Sequence, residues 1–305
     1  MKKEKFKLST RAWNNIFDIS NGLFMLFIVV IMLYPFLNTL AVSLNNATDS
    51  IKGGIYLWPR MFTLRNYEVV FENELLLTAF INSVSRTLLS TVGGLFMCSI
   101  AAYVLSRQEF LVNAVVTVFF LMTMYISPGL IPVYFLYRDL GLINNFWVYV
   151  LPGLFSAFNV IVIRTYMMAL PDSLVEAARI DGSGEFQTFI RIVLPLCKPV
   201  LATVGLWIAV GNWNDWFSSF IFAPARTELT TLQYELMKVL SSSMAQMSNQ
   251  QAGAIAAQGA QAFQNISPVA IRATITIIAA VPILCVYPFL QKYFVKGVHV
   301  GSVKG

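Results

Sequence analysis

The sequence predicts an all-α membrane protein with six transmembrane helices, and three observations support this expectation. Hydrophobic residues make up 57% of the 305 residues and charged residues only 12%, about half of the ~25% that soluble domains usually carry. The apolar residues lie in continuous blocks, whereas the strands of a membrane barrel would alternate. Six blocks reach the roughly 20 residues that a helix needs to cross a bilayer. We expect a single transmembrane domain over residues 1–305.

The six predicted spans follow one another with short connections, except at two places. They cover about residues 20–44, 78–105, 110–137, 144–170, 198–224 and 269–292. Prolines inside them, such as Pro128 and Pro152, are tolerated in membrane helices because neighbouring groups satisfy the freed carbonyls. The long connections are 45–77, which is rich in aromatic residues, and 225–268, which ends in a Gln- and Ala-rich stretch. For the second of these, a flexible loop and an external helix both fit the composition.

The basic residues predict that both termini lie on the cytoplasmic side. An even number of spans puts the two termini on the same side, and cytoplasmic segments carry an excess of Lys and Arg. Five basic residues precede the first span: Lys2, Lys3, Lys5, Lys7 and Arg11. The net charge of +6 is explained by this flanking pattern, so no nucleic-acid partner is expected.

The residues that usually form metal or catalytic sites are sparse. Three cysteines, Cys98, Cys197 and Cys285, lie in or beside apolar stretches without the spacing of a disulfide framework or a zinc site. His299 is the only histidine, and no Gly-x4-Gly-Lys-Ser/Thr phosphate loop is present in the sequence. We therefore expect no metal, no cofactor and no catalytic residues in this chain.

The connection between the fourth and fifth predicted spans indicates two short helices joined by a glycine bend. Ser173, with Glu176 three residues later, has the pattern of a capping box. Gly182 stands where a helix would end, and a second helical stretch leads to Pro195. Small and charged residues suited to contact a partner lie along it: Ala177, Ala178, Arg179, Asp181 and Arg191. An ordinary interfacial loop with a charged face turned to water fits the same residues equally well.

The register of this segment resembles the EAA loop of bacterial ABC importer permeases. That pattern is Glu-Ala-Ala, three residues, Gly, nine residues and Ile-x-Leu-Pro, and residues 176–195 match it without insertion. In the fifth predicted span, "GNWNDWFSSFIFAP" resembles a Trp-Asn-Asp/Glu signature of the carbohydrate-uptake group, and the C-terminal "KYFVKGVHVGSVKG" resembles its tail. The chain is thus similar to binding-protein-dependent sugar permeases, including the shorter of the two maltose-transporter permeases.

The resemblance implies a transport subunit of the bacterial cytoplasmic membrane that has no ATPase site of its own. A second homologous permease would complete a heterodimeric pore surrounded by lipid, two ATP-binding subunits would bind ATP and Mg, and an extracytoplasmic solute-binding protein would deliver the solute, expected to be an oligosaccharide. The coupling loop, residues 171–195, would dock on the ATPase through Glu176, Ala177, Ala178, Arg179, Asp181, Gly182, Ile192, Leu194 and Pro195. Tail residues implied to contact the ATPase are Gly297, Gly301, Lys304 and Gly305.

Polar and aromatic residues within the predicted spans are candidates to line the solute pathway. Ionisable groups are costly in lipid and usually face a cavity or another helix, and a sugar offers C–H surfaces to aromatic rings and hydroxyls to Asn and Asp. The candidates are Tyr125, Asn159, Asn212, Trp213, Asn214, Asp215 and Trp216. Arg86 and Arg164 are further charged residues near span ends. Helix capping and bonds to neighbouring spans explain such residues as well.

Other functions stay open from the sequence. A permease for a different solute class would show the same loop. An ion-coupled secondary transporter would need intramembrane acids and usually has inverted repeats, of which we find none in the sequence. A membrane-embedded enzyme would need a catalytic cluster.

Overall fold

The computed structural model describes residues 2–107, 109–247 and 268–301, and in these ranges the chain is almost entirely helical. The one extended pairing among the described residues is an isolated bridge between Asn45 and Phe62. The prediction of an all-α chain is confirmed for this part of the protein.

The α-helices are, in chain order, α1 (Lys2–Ser43), α2 (Ala47–Ser50), α3 (Arg65–Glu72), α4 (Glu74–Ser106), α5 (Asn113–Tyr125), α6 (Leu130–Asp139), α7 (Ala157–Met167), α8 (Ser173–Ile180), α9 (Glu185–Thr188), α10 (Leu194–Leu196), α11 (Lys198–Asn214), α12 (Phe217–Phe222), α13 (Leu232–Met247) and α14 (Pro268–Gly301). A π-helical turn, Phe189–Val193, joins α9 to α10. Single 3-10 turns occupy Phe146–Tyr149, Leu151–Gly153 and Thr227–Leu229.

Three of the described helices are long and apolar enough to cross a membrane. Their candidate spans are Trp13–Ser43, Glu74–Ser106 and Val269–Val286, at the places of the first, second and sixth predicted spans. Up to three more spans arise if each of three bent helix pairs crosses as one unit. The described helices thus allow three to six spans.

The other three predicted spans are interrupted. Helices α5 and α6 meet at 114°, the segments Phe146–Gly153 and Ala157–Met167 at 41°, and Glu185–Leu196 and Lys198–Asn214 at 83°. Pro128 lies in the first break and Pro199 beside the third, and a proline lacks the N–H that a helix bond requires. Pro128 therefore stands at a full break of the helix and not within a continuous span.

Two compact units divide the described chain, residues 2–70 with 268–278 and residues 71–247 with 279–301, apart from residue 108. In the first unit, α1 continues into an ordered segment carrying α2 and α3. The buried Asn66 side chain donates hydrogen bonds to the carbonyls of Ser43 (2.9 Å) and Asn45 (2.8 Å). Arg60 Nε donates to the carboxylate of Asp49 at 2.9 Å. Polar bonds therefore organise most of this segment.

The second unit is built around α4, which packs against α7 and α11. Gly205 of α11 faces Leu95 of α4, and a Cβ at position 205 would lie 3.1 Å from Leu95 Cδ1. A glycine is therefore what allows these two helices to approach closely. The apolar core of this unit extends beyond the three helices, because Val175 of α8 and Phe189 of the π-helical turn belong to the same cluster.

Helix α1 contrasts with α4. None of the most apolar 18-residue stretch of Trp13–Ser43 is buried within the chain, whereas 39% of the corresponding stretch of α4 is buried. Apolar side chains such as Phe24, Phe27 and Val30 are more than half exposed along it. An uninterrupted apolar surface of this kind requires lipid or another protein to cover it.

Candidate functional site

The coupling loop opens on helix α8, whose start differs from the predicted one. Asp172 occupies the N-cap position, and its side chain makes no capping hydrogen bond. Ser173 is already the first helical residue, so the predicted capping box with Ser173 at the N-cap is wrong. The amides of Leu174 and Val175 bond instead to the carbonyls of Pro171 (3.2 Å) and Asp172 (3.0 Å). Turn bonds after the proline start the helix without a side-chain cap.

The end of α8 is the glycine bend that the sequence predicts. Gly182 has φ +79°, in the left-handed region that glycine adopts at little cost. The amide of Ser183 bonds to the carbonyl of Ala178 (2.9 Å) and the amide of Gly182 to that of Arg179 (3.0 Å). This pair of bonds defines a Schellman motif, which satisfies the last carbonyls of α8 and reverses the chain towards α9.

Helix α8 presents one face to the protein and leaves another open. Val175 and Ala178 are buried, so Ala178 is not available to a partner in this structure, contrary to the idea that both alanines allow a close approach. Glu176 and Ala177 are exposed, and Ile180 is 87% exposed. An exposed isoleucine beside a small residue and a carboxylate suits a protein contact. Ile180 is a candidate that the sequence pattern did not single out.

Arg179 lies at the centre of a charged cluster on the loop. Its Nε and Nη2 donate to Glu185 Oε1 at 3.0 and 2.8 Å, and its Nη1 donates to Glu109 Oε1. Glu185 Oε2 in turn accepts a hydrogen bond from the hydroxyl of Tyr103 at 2.8 Å. The hydrogen bond from Arg179 holds the pKa of the Glu109 carboxyl below its usual range. The acidic partners come from positions 6 and 70 residues away, a separation that no sequence motif indicates.

The second half of the coupling loop is anchored in the core. Phe189 is buried, and its ring centroid lies 5.1 Å from that of Tyr103 in α4. Of the closing motif, Ile192 and Leu194 are partly buried and Pro195 is exposed. The chain then turns at Cys197 into α11. The motif residues of this half therefore join the loop to α11.

The C-terminal tail residues are only partly within the described ranges. Gly297 and Gly301 belong to α14, which ends at Gly301. Lys304 and Gly305 lie outside the described residues.

Asp215, a candidate for the solute pathway, is an ion-pair partner in the structure. It stands at the break between α11 and α12, where Arg86 of α4 donates from Nη2 to its carboxylate (2.6 Å) and from Nη1 to its backbone carbonyl (2.9 Å). Arg86 is 2% exposed, the Asp215 side chain 28%. Arg86 Cζ also lies 4.7 Å from the centre of the Tyr149 ring. A buried charge requires such pairing, so this contact fixes the helix break to α4.

The neighbours of Asp215 have separate local contacts. Trp213 is buried, and its Nε1 donates to the carbonyl of Ala279 at 2.8 Å. Asn212 Nδ2 donates to the carbonyl of Ile208 (2.9 Å), and Asn214 Oδ1 accepts from Gln233. These three side chains therefore bond to neighbouring helices or to their own helix, which is the alternative to lining the solute pathway.

Trp216, Tyr125 and Asn159 complete the candidate set. The Trp216 ring lies 5.8 Å from that of Phe217 and 6.0 Å from that of Phe220. Tyr125 ends α5 and is 87% exposed, and Asn159 is partly buried in the first turn of α7. Tyr125 lies on α5 and Asn159 on α7, whereas Trp216 stands in the break between α11 and α12, and no hydrogen bond or ring contact joins the three among the described residues. Nearby elements enclose a cavity of about 540 Å³ lined by Phe120, Thr123, Met124, Phe155, Ser156, Ala157 and Phe158.

Arg164 has a structural contact. Its Nε donates to the carbonyl of Leu105 at 2.8 Å and its Nη2 to Asn113 Oδ1 at 3.4 Å. Arg164 therefore connects the end of α7 to the end of α4 and the start of α5.

Comparison with known proteins identifies a transport family. Residues 94–300 match the family described as binding-protein-dependent transport system inner membrane component. The chain is 31% identical over 294 residues to the polygalacturonan/rhamnogalacturonan transport system permease protein YtcP of Bacillus subtilis, covering 96% of this chain and 99% of that protein. It is 35% identical over 299 residues to Protein LplC of the same organism, covering 97% of each chain.

A solved structure is similar along nearly the whole length. It is a chain of a bacterial ABC transporter involved in the import of the acidic polysaccharide alginate, with a TM-score of 0.80 and 27% identity. The match covers 92% of this chain and 97% of that chain.

Proposed function

The chain belongs to the family of binding-protein-dependent transport system inner membrane components, and from that premise we propose how it works as an ABC importer permease. It forms one half of the translocation pathway, and a second homologous permease forms the other. Two ATP-binding subunits bind ATP and Mg, and an extracytoplasmic solute-binding protein delivers the solute. This chain performs no covalent chemistry.

The observation that carries the proposal is the geometry of the coupling loop. Its Glu-Ala-Ala register is kept on an ordered helix, the Schellman bend at Gly182 ends that helix, and Glu176, Ala177 and Ile180 stand exposed. A carboxylate next to a small residue and an apolar side chain gives a partner both charge and close approach. The ATPase docks on this ridge, from the cytoplasmic side on which both termini lie.

The proposed solute is an oligosaccharide. This assignment rests on two relatives whose names refer to polygalacturonan and rhamnogalacturonan transport and to alginate import. In the alternating-access cycle, ATP binding closes the ATPase pair and turns the cavity outward, and hydrolysis resets it. Asp215 is bound to Arg86 in the structure, which makes it a poor carrier for a coupling ion and argues against an ion-driven transporter.

The six-span topology is part of the proposal. We assign one crossing to each of α1, α4 and α14, one to each of the first two bent helix pairs, and one to α11 with α12, since α9 and α10 belong to the coupling loop. Broken helices at membrane depth are tolerated where the exposed backbone is buried in protein or lines a water-filled cavity. The breaks near Pro128 and Asp215 are therefore the parts of the spans where we place the solute route.

The test is uptake by proteoliposomes that contain both permeases, the ATPase and the solute-binding protein. Fluorescent oligogalacturonides serve as the probe, with an uncharged oligosaccharide of equal length for comparison. We expect ATP-dependent uptake. Glu176→Ala or Ala177→Trp should reduce it about tenfold or more, because a few central contacts supply most of the binding energy of a protein interface and these variants truncate or obstruct one of them. Gln187→Ala, at an exposed position of α9, is the matched control and should transport normally.

Each result bears on a different part of the proposal. ATP-independent uptake driven by an ion gradient would overturn the importer assignment. Normal uptake by both coupling-loop variants would overturn the docking role of the ridge. Uptake of the uncharged probe alone would leave the importer intact and correct the solute class.

A further inference from the structure

We propose that Arg179 does not bind the ATPase but is a positioning residue, which fixes the coupling helix to this chain's own rim through Glu109 and Glu185. The inference rests on the proposed function, since it concerns how the docking ridge of α8 is held. It assigns a role to Glu109, which lies between α4 and α5, outside the coupling loop.

The guanidinium of Arg179 is already occupied within the chain. Its Nε and Nη2 contact one oxygen of Glu185 at 3.0 and 2.8 Å, and its Nη1 contacts Glu109. An arginine presents its donors in a rigid planar fork, so these three contacts set the orientation of the whole group. These contacts use three of the five guanidinium N–H donors, and two carboxylates of the same chain already balance the charge that a partner carboxylate would pair with.

The acids are themselves tied to the core. The second oxygen of Glu185 accepts from Tyr103, which is buried in α4 and packs against Phe189. The guanidinium of Arg107 lies 4.2 Å from the centre of the same Tyr103 ring. The chain of contacts therefore runs from α8 across the Gly182 bend to α9 and on to the end of α4. Tyr103, Arg107, Glu109, Arg179 and Glu185 line an open groove of about 460 Å³.

The position of Arg179 on α8 gives these contacts their mechanical effect. Residues three apart on a helix are neighbours on its surface, so Arg179 lies one turn from Glu176. Val175 and Ala178 are buried on the side that faces the protein. Apolar burial holds α8 against the core, and the pinned guanidinium sets its rotation about its own axis. That rotation decides where Glu176 and Ala177 point.

The experiment replaces Ile180, which is bulky and 87% exposed on the same face of α8, by a photo-crosslinking amino acid in the complete transporter and measures the yield of crosslink to the ATPase. We expect Arg179→Gln to reduce the yield about twofold to fivefold, the range for loss of exposed ion pairs. Glu109→Gln should reduce it in the same direction by a smaller factor, because the two contacts of Arg179 with Glu185 remain. The double variant should lose no more than Arg179→Gln alone, because that substitution already removes the contact with Glu109. Arg179→Lys should restore part of the yield. Arg138→Gln, which breaks the exposed Arg138–Asp139 pair of α6, is the matched control and should not change it.

ATP hydrolysis by the same complexes gives the second readout. Stimulation by the solute-binding protein should fall in Arg179→Gln and Glu109→Gln together. A strong loss in Arg179→Gln with a silent Glu109→Gln would overturn the proposal and make Arg179 a direct ATPase contact, as would losses that add in the double variant. No crosslink from position 180 in the parent complex would instead contradict the docking ridge of the proposed function.

Discussion

Gly182 offers a test of the coupling loop in which the expected effect follows from the backbone alone. The residue has φ +79°, and a Cβ built on it meets no heavy atom within 4 Å. Gly182→Ala therefore adds no clash, and its cost is that of placing an L-residue in the left-handed region, about 1–2 kcal/mol. That free energy corresponds to roughly a fivefold to thirtyfold change in the equilibrium constant for local opening of α8.

The matched control is Gly184, two residues further on. A Cβ at this position also meets nothing within 4 Å, but its φ of −71° is one that any residue adopts. Gly184 is the N-cap of α9, where glycine is preferred to alanine, so Gly184→Ala should cost no more than about 1 kcal/mol and leave the protection of residues 173–183 unchanged. Gly182→Asn should cost less than Gly182→Ala, since asparagine enters the left-handed region more readily.

Hydrogen exchange of the complete transporter in nanodiscs measures the effect. We expect the protection of amides in residues 173–183 to fall about fivefold to thirtyfold in Gly182→Ala, with the rest of the chain unchanged. Transport should fall with it, because the Schellman bonds of Gly182 and Ser183 hold the end of α8. Equal protection in the alanine variants of Gly182 and Gly184 would refute the reasoning.

Three further outcomes are expected. Arg86→Met should destabilise the protein in detergent by about 3 kcal/mol, the low end for a broken buried pair because Asp215 is partly exposed, and adding Asp215→Asn should recover much of the loss in thermal unfolding. Asn66→Ala leaves two buried carbonyls without a donor, so we expect a loss of about 1–3 kcal/mol and faster proteolysis between α1 and α4. A hydrogen bond from Asn45 lowers the pKa of Asp49. The contribution of the ionised Asp49 to the free energy of unfolding should therefore be complete above the ordinary pKa of about 3.9 and be lost as the pH falls through the lowered pKa. This pH dependence should be absent in Asp49→Asn.

The parts of the fold that follow from local chemistry were predictable. Long apolar blocks locate α1, α4 and α14, because a bilayer-length apolar run has few other uses. The bend at Gly182 also follows from the sequence, since a glycine after a short amphipathic stretch is the usual residue in the left-handed position. The EAA register located the coupling loop for the same reason: its signals lie within about 20 consecutive residues.

The parts that depend on contacts between distant residues were not predictable. The partner of Asp215 is Arg86, 129 residues away, and the partner of Arg179 is Glu109, 70 residues away. Considered alone, each charge suggests a polar lining residue at Asp215 and a partner contact at Arg179, and the sequence does not indicate the ion pairs that these residues form within the chain. The start of α8 shows that even a local prediction can miss by one residue. Ser173 and Asp172 both suit an N-cap, and the turn after Pro171 places the N-cap at Asp172.

The apolar core shared by the coupling loop and the helix bundle has a consequence for stiffness. Val175 and Phe189 belong to the same packed cluster as residues of α4, α7 and α11. Protein interiors are close-packed and have low compressibility, so a push on the loop cannot be absorbed by a soft layer beneath it. Displacement of α8 by a few ångströms must move the helices behind it by a comparable amount. The loop and those helices therefore act as one rigid lever, and the compliance of the chain lies outside this cluster, at the break between α5 and α6.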